Sequence, residues 1–136
     1  MSASGLLCNT DIFHTRLHIQ PILPTLEQIN RIREKYEEIE IYILSCSSSN
    51  EMVKEKNEWL DIYMPNIKKE NRKFIVKENG EYTNENIHKV KSEYIKNSIS
   101  NNEVAVLIDD DNRILSESLK ILGNNVIPIH VTSLLI

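Results

Sequence analysis

Three short polar clusters follow apolar runs in this chain, and each carries groups suited to handling phosphate or a divalent cation. Asn9-Thr10-Asp11 follows Leu6-Leu7-Cys8, Ser45-Cys46-Ser47 follows Ile41-Tyr42-Ile43-Leu44, and Asp109-Asp110-Asp111 follows the run from Val104 to Ile108. Carboxylates from neighbouring strand ends can hold a hard cation such as Mg2+, which takes oxygen ligands and keeps several waters. A serine hydroxyl and a lysine ammonium opposite them can bind phosphate oxygens. Lys91, in Lys89-Val90-Lys91-Ser92-Glu93-Tyr94, is the first candidate for that ammonium, and Lys56, in Lys56-Asn57-Glu58-Trp59-Leu60, competes with it. Such a set suits phosphoryl transfer, where positioning and charge neutralisation do most of the work.

Regular elements must place these clusters, and the hydropathy pattern predicts strands alternating with helices. Strands are expected at Leu6–Cys8, Ile39–Leu44, Phe74–Val76, Val104–Ile108 and Val126–Val131. The first helix should begin after Pro24-Thr25, with Thr25 as its cap, and run to Tyr36. A second helix from Glu51 to Met64 would bury Met52, Trp59, Leu60 and Tyr63 before Pro65 ends it. A third spans Asn84 to Ile99. The fourth is capped by Asn112, turns Ile114, Leu115, Leu119 and Leu122 inward, and stops at Gly123. Five strands with helical crossovers predict an α/β fold, a three-layer sandwich on a five-stranded parallel sheet, formed by one domain over residues 1–136. In such sheets ligands bind beyond the carboxyl ends of the strands, where the three clusters fall.

The order of these motifs resembles the haloacid dehalogenase (HAD) phosphatase superfamily. Leu6-Leu7-Cys8-Asn9-Thr10-Asp11 is similar to the first HAD motif, an apolar strand followed by Asp-x-Asp, with Asn9 in place of the first Asp. Ile41 to Ser45 is similar to the second motif, Lys91 to the third-motif lysine, and Val106-Leu107-Ile108-Asp109-Asp110 to the fourth. The Ile-Asp-Asp form with the upstream Lys-Ser-Glu-Tyr-Ile resembles the branch of 5′(3′)-deoxyribonucleotidases. The resemblance implies a HAD-like Rossmannoid fold and a Mg2+-dependent phosphohydrolase acting on a phosphomonoester, a nucleotide among the options. It implies that Asn9 and Asp11 hold the catalytic positions and that Ser45, Cys46 and Lys91 bind substrate. Asn9, Asp11, Asp109 and Asp110 would hold the metal. The stretch between the first and second motifs is too short for a helical cap, which implies an open site. Asn9 is the sharper departure, because an amide oxygen is a poor nucleophile and removes one negative charge from the metal site. The alternative is therefore a pseudophosphatase serving as a ligand- or protein-binding module.

Simpler readings stand beside these. Asp109 to Asp111 can be a solvated loop and helix cap, Ser45 to Asn50 a polar turn, and Lys91 a solvent-facing charge. Cys8 and Cys46 fit neither a disulfide framework nor a zinc site and read as reduced, buried thiols. His14, His18, His88 and His130 lack metal-ligand spacing, and His130 reads as structural. The 136 residues carry 16 basic and 20 acidic side chains, a net charge of −4, which argues against a broad basic face and against nucleic acid as a partner. No stretch reaches the roughly 18 apolar residues of a membrane span, and the N-terminus lacks the basic start and apolar core of a signal peptide. A cytoplasmic protein is expected, its partners a phosphorylated small molecule or nucleotide and a protein or second copy of itself.

Overall fold

The computed structural model describes residues 3–8 and 23–131, with side chains from residue 26 to 131. Its strands are β1 (Ala3–Cys8), β2 (Glu40–Ser47), β3 (Arg72–Val76), β4 (Val104–Asp109) and β5 (Val126–His130). Its helices are α1 (Leu23–Lys35), α2 (Asn50–Tyr63), α3 (Ile87–Ser98) and α4 (Asn112–Leu122), with short 3-10 turns at Lys69–Asn71 and Gly123–Asn125. Among the described residues no helix is long and apolar enough to cross a membrane.

The expected sandwich on a five-stranded parallel sheet is corrected. Where side chains are described, the sheet consists of two small parallel two-stranded pairs, β2–β3 and β4–β5, four strands in all. Only backbone pairing of β1, to β2 on one side and β4 on the other, runs between them, in the order β3-β2-β1-β4-β5. A count of apolar runs does not reveal this, because periodicity reports which segments are extended and not how far each contributes to one packed layer.

Two apolar clusters flank the pairs. Leu44, Cys46, Ile75, Ala105, Leu107 and Val126 meet Ile95 of α3 and Ile114, Leu115 and Leu122 of α4. Ile43 and Ile108, from the intervening positions of β2 and β4, meet Ile29 of α1, Trp59 and Leu60 of α2, and Ile67. The alternation of strand side chains thus assigns one face to α3 and α4 and the other to α1 and α2.

Several boundaries move for identifiable reasons. β2 continues three residues beyond Leu44, because Ser45, Cys46 and Ser47 pair with Phe74, Ile75 and Val76 of β3, and the ladder overrides their loop-like composition. Ser49 caps α2 by accepting from the Met52 N–H at 3.2 Å, and the Met64 N–H closes it on the Leu60 carbonyl at 2.8 Å. α3 starts at Ile87 instead of Asn84, since Thr83 and Asn86 form a reciprocal turn, the Thr83 N–H donating to Asn86 Oδ1 at 2.7 Å and the Asn86 N–H to Thr83 Oγ1 at 3.3 Å. α1 begins at Leu23, which puts Pro24 in the first turn, where its missing N–H costs nothing, and places Thr25 inside the helix instead of at its cap. Leu119, expected inward, is 48% exposed.

The cap of α4 is Asp111 and not Asn112; its carboxylate accepts from the Arg113 N–H at 2.9 Å. The side-chain hydrogen bond from Arg113 holds the Asp111 carboxyl below the usual range. A depressed carboxyl pKa stabilises the fold above its unfolded value and stops doing so as pH falls through the folded one. Asp111→Ala is expected to cost about 1 kcal/mol at neutral pH. In urea titrations the gap to the parent should close in acid, and Asp111→Asn, an equally good cap, should lose much less.

Candidate functional site

The site begins with two lysines on apolar helix faces. Lys56 sits on α2 in the row Met52, Lys56, Trp59, Leu60 and Tyr63, so helical spacing carries it under the helix and not into water. Lys91 sits on α3 between Ile87 and Ile95 in the same way. Lys56 is 1% exposed and Lys91 fully buried, which removes the solvent-facing reading of Lys91.

Each ammonium meets the carboxyl end of a strand. Lys56 Nζ donates to Ser45 Oγ at 2.9 Å and to the Cys46 carbonyl at 2.6 Å, both on β2. Lys91 Nζ lies 3.4 Å from Asp109 Oδ2 on β4, an ion pair with no exposed side-chain surface on either partner. The other Asp109 oxygen accepts from the Asp111 N–H at 2.8 Å. The two lysines occupy separate positions, one on each face of the sheet. Ser45 and Lys56 lie on the α1–α2 side with Ile43, and Asp109 and Lys91 on the α3–α4 side with Leu107. The gap they flank is the end of β1, after which Asn9 follows in sequence. Asn9 and Asp11 lie outside the described residues.

Cys46, expected to bind substrate, takes a different place. Its side chain belongs to the apolar cluster beneath α3 and α4, on the face opposite Ser45. Burial pushes its thiol from an ordinary value of 9.0 up to about 11, against the lowering effect of the Lys91 and Lys56 charges. The folded state then holds the thiol proton more tightly than the unfolded chain does. This contribution to stability is complete below the unfolded pKa and disappears as pH rises through about 11. Cys46 is expected to resist iodoacetamide in the native protein at pH 8 and to react promptly in urea. Peptide-level mass spectrometry in a Cys8→Ser background would measure this, and rapid native labelling would contradict the buried placement.

Asp110 behaves differently from Asp109. Its carbonyl lies 3.1 Å from His130 Nε2, and its Oδ1 is buried without a partner among the described residues. An orphaned carboxylate oxygen fits a hard, oxygen-seeking cation such as Mg2+. Asp109, with both oxygens engaged by Lys91 and the Asp111 N–H, is the less available of the two. Among the described residues no group of three or more His, Cys, Asp and Glu is placed to hold a metal ion.

Two residues not singled out from sequence join this end of the sheet. Ser47 is fully buried, and its alternation with Ser45 along β2 was the available signal. Tyr82 packs against the α3–α4 cluster. Burial first, and then the nearby Cys46, raise its phenol above the ordinary range, while Lys91 pulls it down. It sits in the loop after β3, where a tyrosine carries no periodic signature. The loop is held by the Val76 N–H donating to Glu81 Oε2 at 2.6 Å and by Gly80, whose φ of 76° suits the turn.

Comparison with protein-family models, with curated proteins and with solved structures finds no match.

Proposed function

We propose that the carboxyl ends of β2 and β4 form a phosphomonoester site, HAD-like and Mg2+-dependent, in which Asn9 stands in the nucleophile's place. The observation that carries this reading is the convergence of two buried lysines on one end of the sheet, Lys56 on Ser45 and Lys91 on Asp109. Taking an ammonium out of water costs several kcal/mol unless charge and hydrogen bonds offset it. Two in one small domain mark a place built for negative charge. In this reading Ser45, Lys56 and Lys91 hold phosphate oxygens, and Asp11 handles the proton of the leaving group. Asp110 and Asp109, with Asn9 and Asp11, would hold Mg2+, which when bound neutralises charge on the phosphoryl oxygens. Cys46 contributes its backbone carbonyl to Lys56 instead of its thiol to substrate.

The ligand in this proposal is a phosphorylated small molecule, nucleotides included, and the compartment is the cytoplasm. A net charge of −4 sets the chain against non-specific nucleic-acid binding. Asn9 itself favours a second reading, in which the same site binds a phosphorylated ligand without turnover and the chain acts through a protein partner or a second copy. Phosphate release from a panel of phosphomonoesters and nucleotides with Mg2+, comparing this chain with Asn9→Asp, separates the two. Turnover by the Asn9→Asp variant alone identifies a phosphatase site lacking its nucleophile. Binding without turnover in both supports the second reading. If neither variant releases phosphate or binds phosphate or Mg2+, both readings are wrong.

A further inference from the structure

Ser47 ends β2 fully buried, yet its hydroxyl has no hydrogen-bond partner among the described residues. Buried hydroxyls are nearly always paired, and an unpaired one costs stability, so each exception calls for a cause. The surrounding backbone supplies none. The Ser47 carbonyl accepts from the Lys77 N–H at 2.9 Å, and the residue pairs in register with Val76, so the strand is held without the hydroxyl. An alanine or valine would continue the ladder equally well.

Its direction follows from the neighbours. Leu44 and Cys46 belong to the cluster under α3 and α4, and Ile43 to the cluster under α1 and α2. Ser45 and Ser47 therefore face α2, and Ser45 accepts from Lys56 there. One strand face thus presents Ser45 and Ser47 in succession, with the buried Lys56 ammonium donating to Ser45. We propose that Ser47 Oγ donates a hydrogen bond to an oxyanion of the bound ligand, a third contact beside Ser45 and Lys56; this rests on the phosphate-site reading above. Ser47 is a binding residue in this assignment and moves no proton.

Inorganic phosphate titrated calorimetrically into the parent chain, Ser45→Ala, Ser47→Ala and Ser47→Cys tests the assignment, with melting midpoints recorded in phosphate-free buffer. Ser47→Ala is expected to melt at the parent temperature or above it, because an unpaired buried hydroxyl has been removed. It should bind phosphate about tenfold more weakly, the order expected for losing one hydrogen bond to a charged group. Ser47→Cys, nearly isosteric and a poor donor, should show the same loss, and it decides the matter if the alanine variant does not fold. Unchanged phosphate affinity in both Ser47 variants alongside weakened binding in Ser45→Ala overturns the Ser47 assignment and leaves the phosphate site standing. A sharply lower melting midpoint with unchanged affinity overturns it too, since the hydroxyl would then serve the fold. No phosphate binding by the parent chain removes the assignment and the underlying site together.

Discussion

Asn9→Asp is expected to raise Mg2+-dependent phosphate release from phosphomonoesters by roughly a thousandfold or more, the scale on which losing a nucleophile depresses an enzyme. A carboxamide oxygen is neutral and weakly nucleophilic, whereas a carboxylate at the same position can attack phosphorus and also adds a negative charge for the metal. The rest of the proposed site needs no rebuilding. Ser45 and Lys56 are already joined, Lys91 is held against Asp109, and Asp110 keeps a buried oxygen without a partner among the described residues. Steady-state phosphate release over a substrate panel is the measurement. Ser45→Ala and Lys56→Met, each combined with Asn9→Asp, serve as controls, because a contaminating phosphatase would ignore both. Equal release from all variants would show that the activity lies elsewhere.

Lys91→Met is expected to destabilise the fold by about 3–5 kcal/mol, the range for removing one partner of a buried ion pair. Lys91 and Asp109 have no exposed side-chain surface, so deleting the ammonium leaves a carboxylate in the interior with only the Asp111 N–H for company among the described bonds. For a domain of ordinary stability this is a large share of the total, and the melting midpoint should fall by about 10 °C or more. The asymmetry is the diagnostic feature. Lys91→Met combined with Asp109→Asn removes both charges and should recover a substantial part of the loss, since the penalty lies in the stranded charge and not in the absent attraction. Urea titrations of the parent, the two single variants and the double variant complete the cycle. Additive losses would mean that the pair is not coupled and that Lys91 is held by other contacts.

The local content of the site was largely legible. The sequence places Ser45 and Asp109 at the carboxyl ends of apolar, β-branched runs, and each lies at the end of its strand. The two lysines were legible in type but not in environment. A lysine in sequence reads as a solvated charge, although the spacing of Lys56 to Met52, Trp59 and Tyr63 is that of a core position. Adjacency in sequence does not put Cys46 beside Ser45, because successive side chains of a strand point to opposite faces; Ser47 is the residue that shares Ser45's side. Tyr82 had no pattern to reveal it, because the turn between Val76 and Asn86 that carries it is made by side chain–backbone bonds specific to that loop.

Alone, the sequence determined the alternation of extended and helical segments, the stops at Pro65 and Gly123, and the types of residue available at the strand ends. These depend on propensity, period and backbone restriction, which act within a few residues. Only the tertiary structure decided that β2 runs on through Ser47 and that Leu119 faces outward. It also decided that both lysines are buried and that Lys56 meets Ser45 while Lys91 meets Asp109. Those outcomes turn on register and on which residues, far apart in the chain, exclude water together. Burial of a charge depends on the sum of its partners across elements, and no local window of sequence contains that sum.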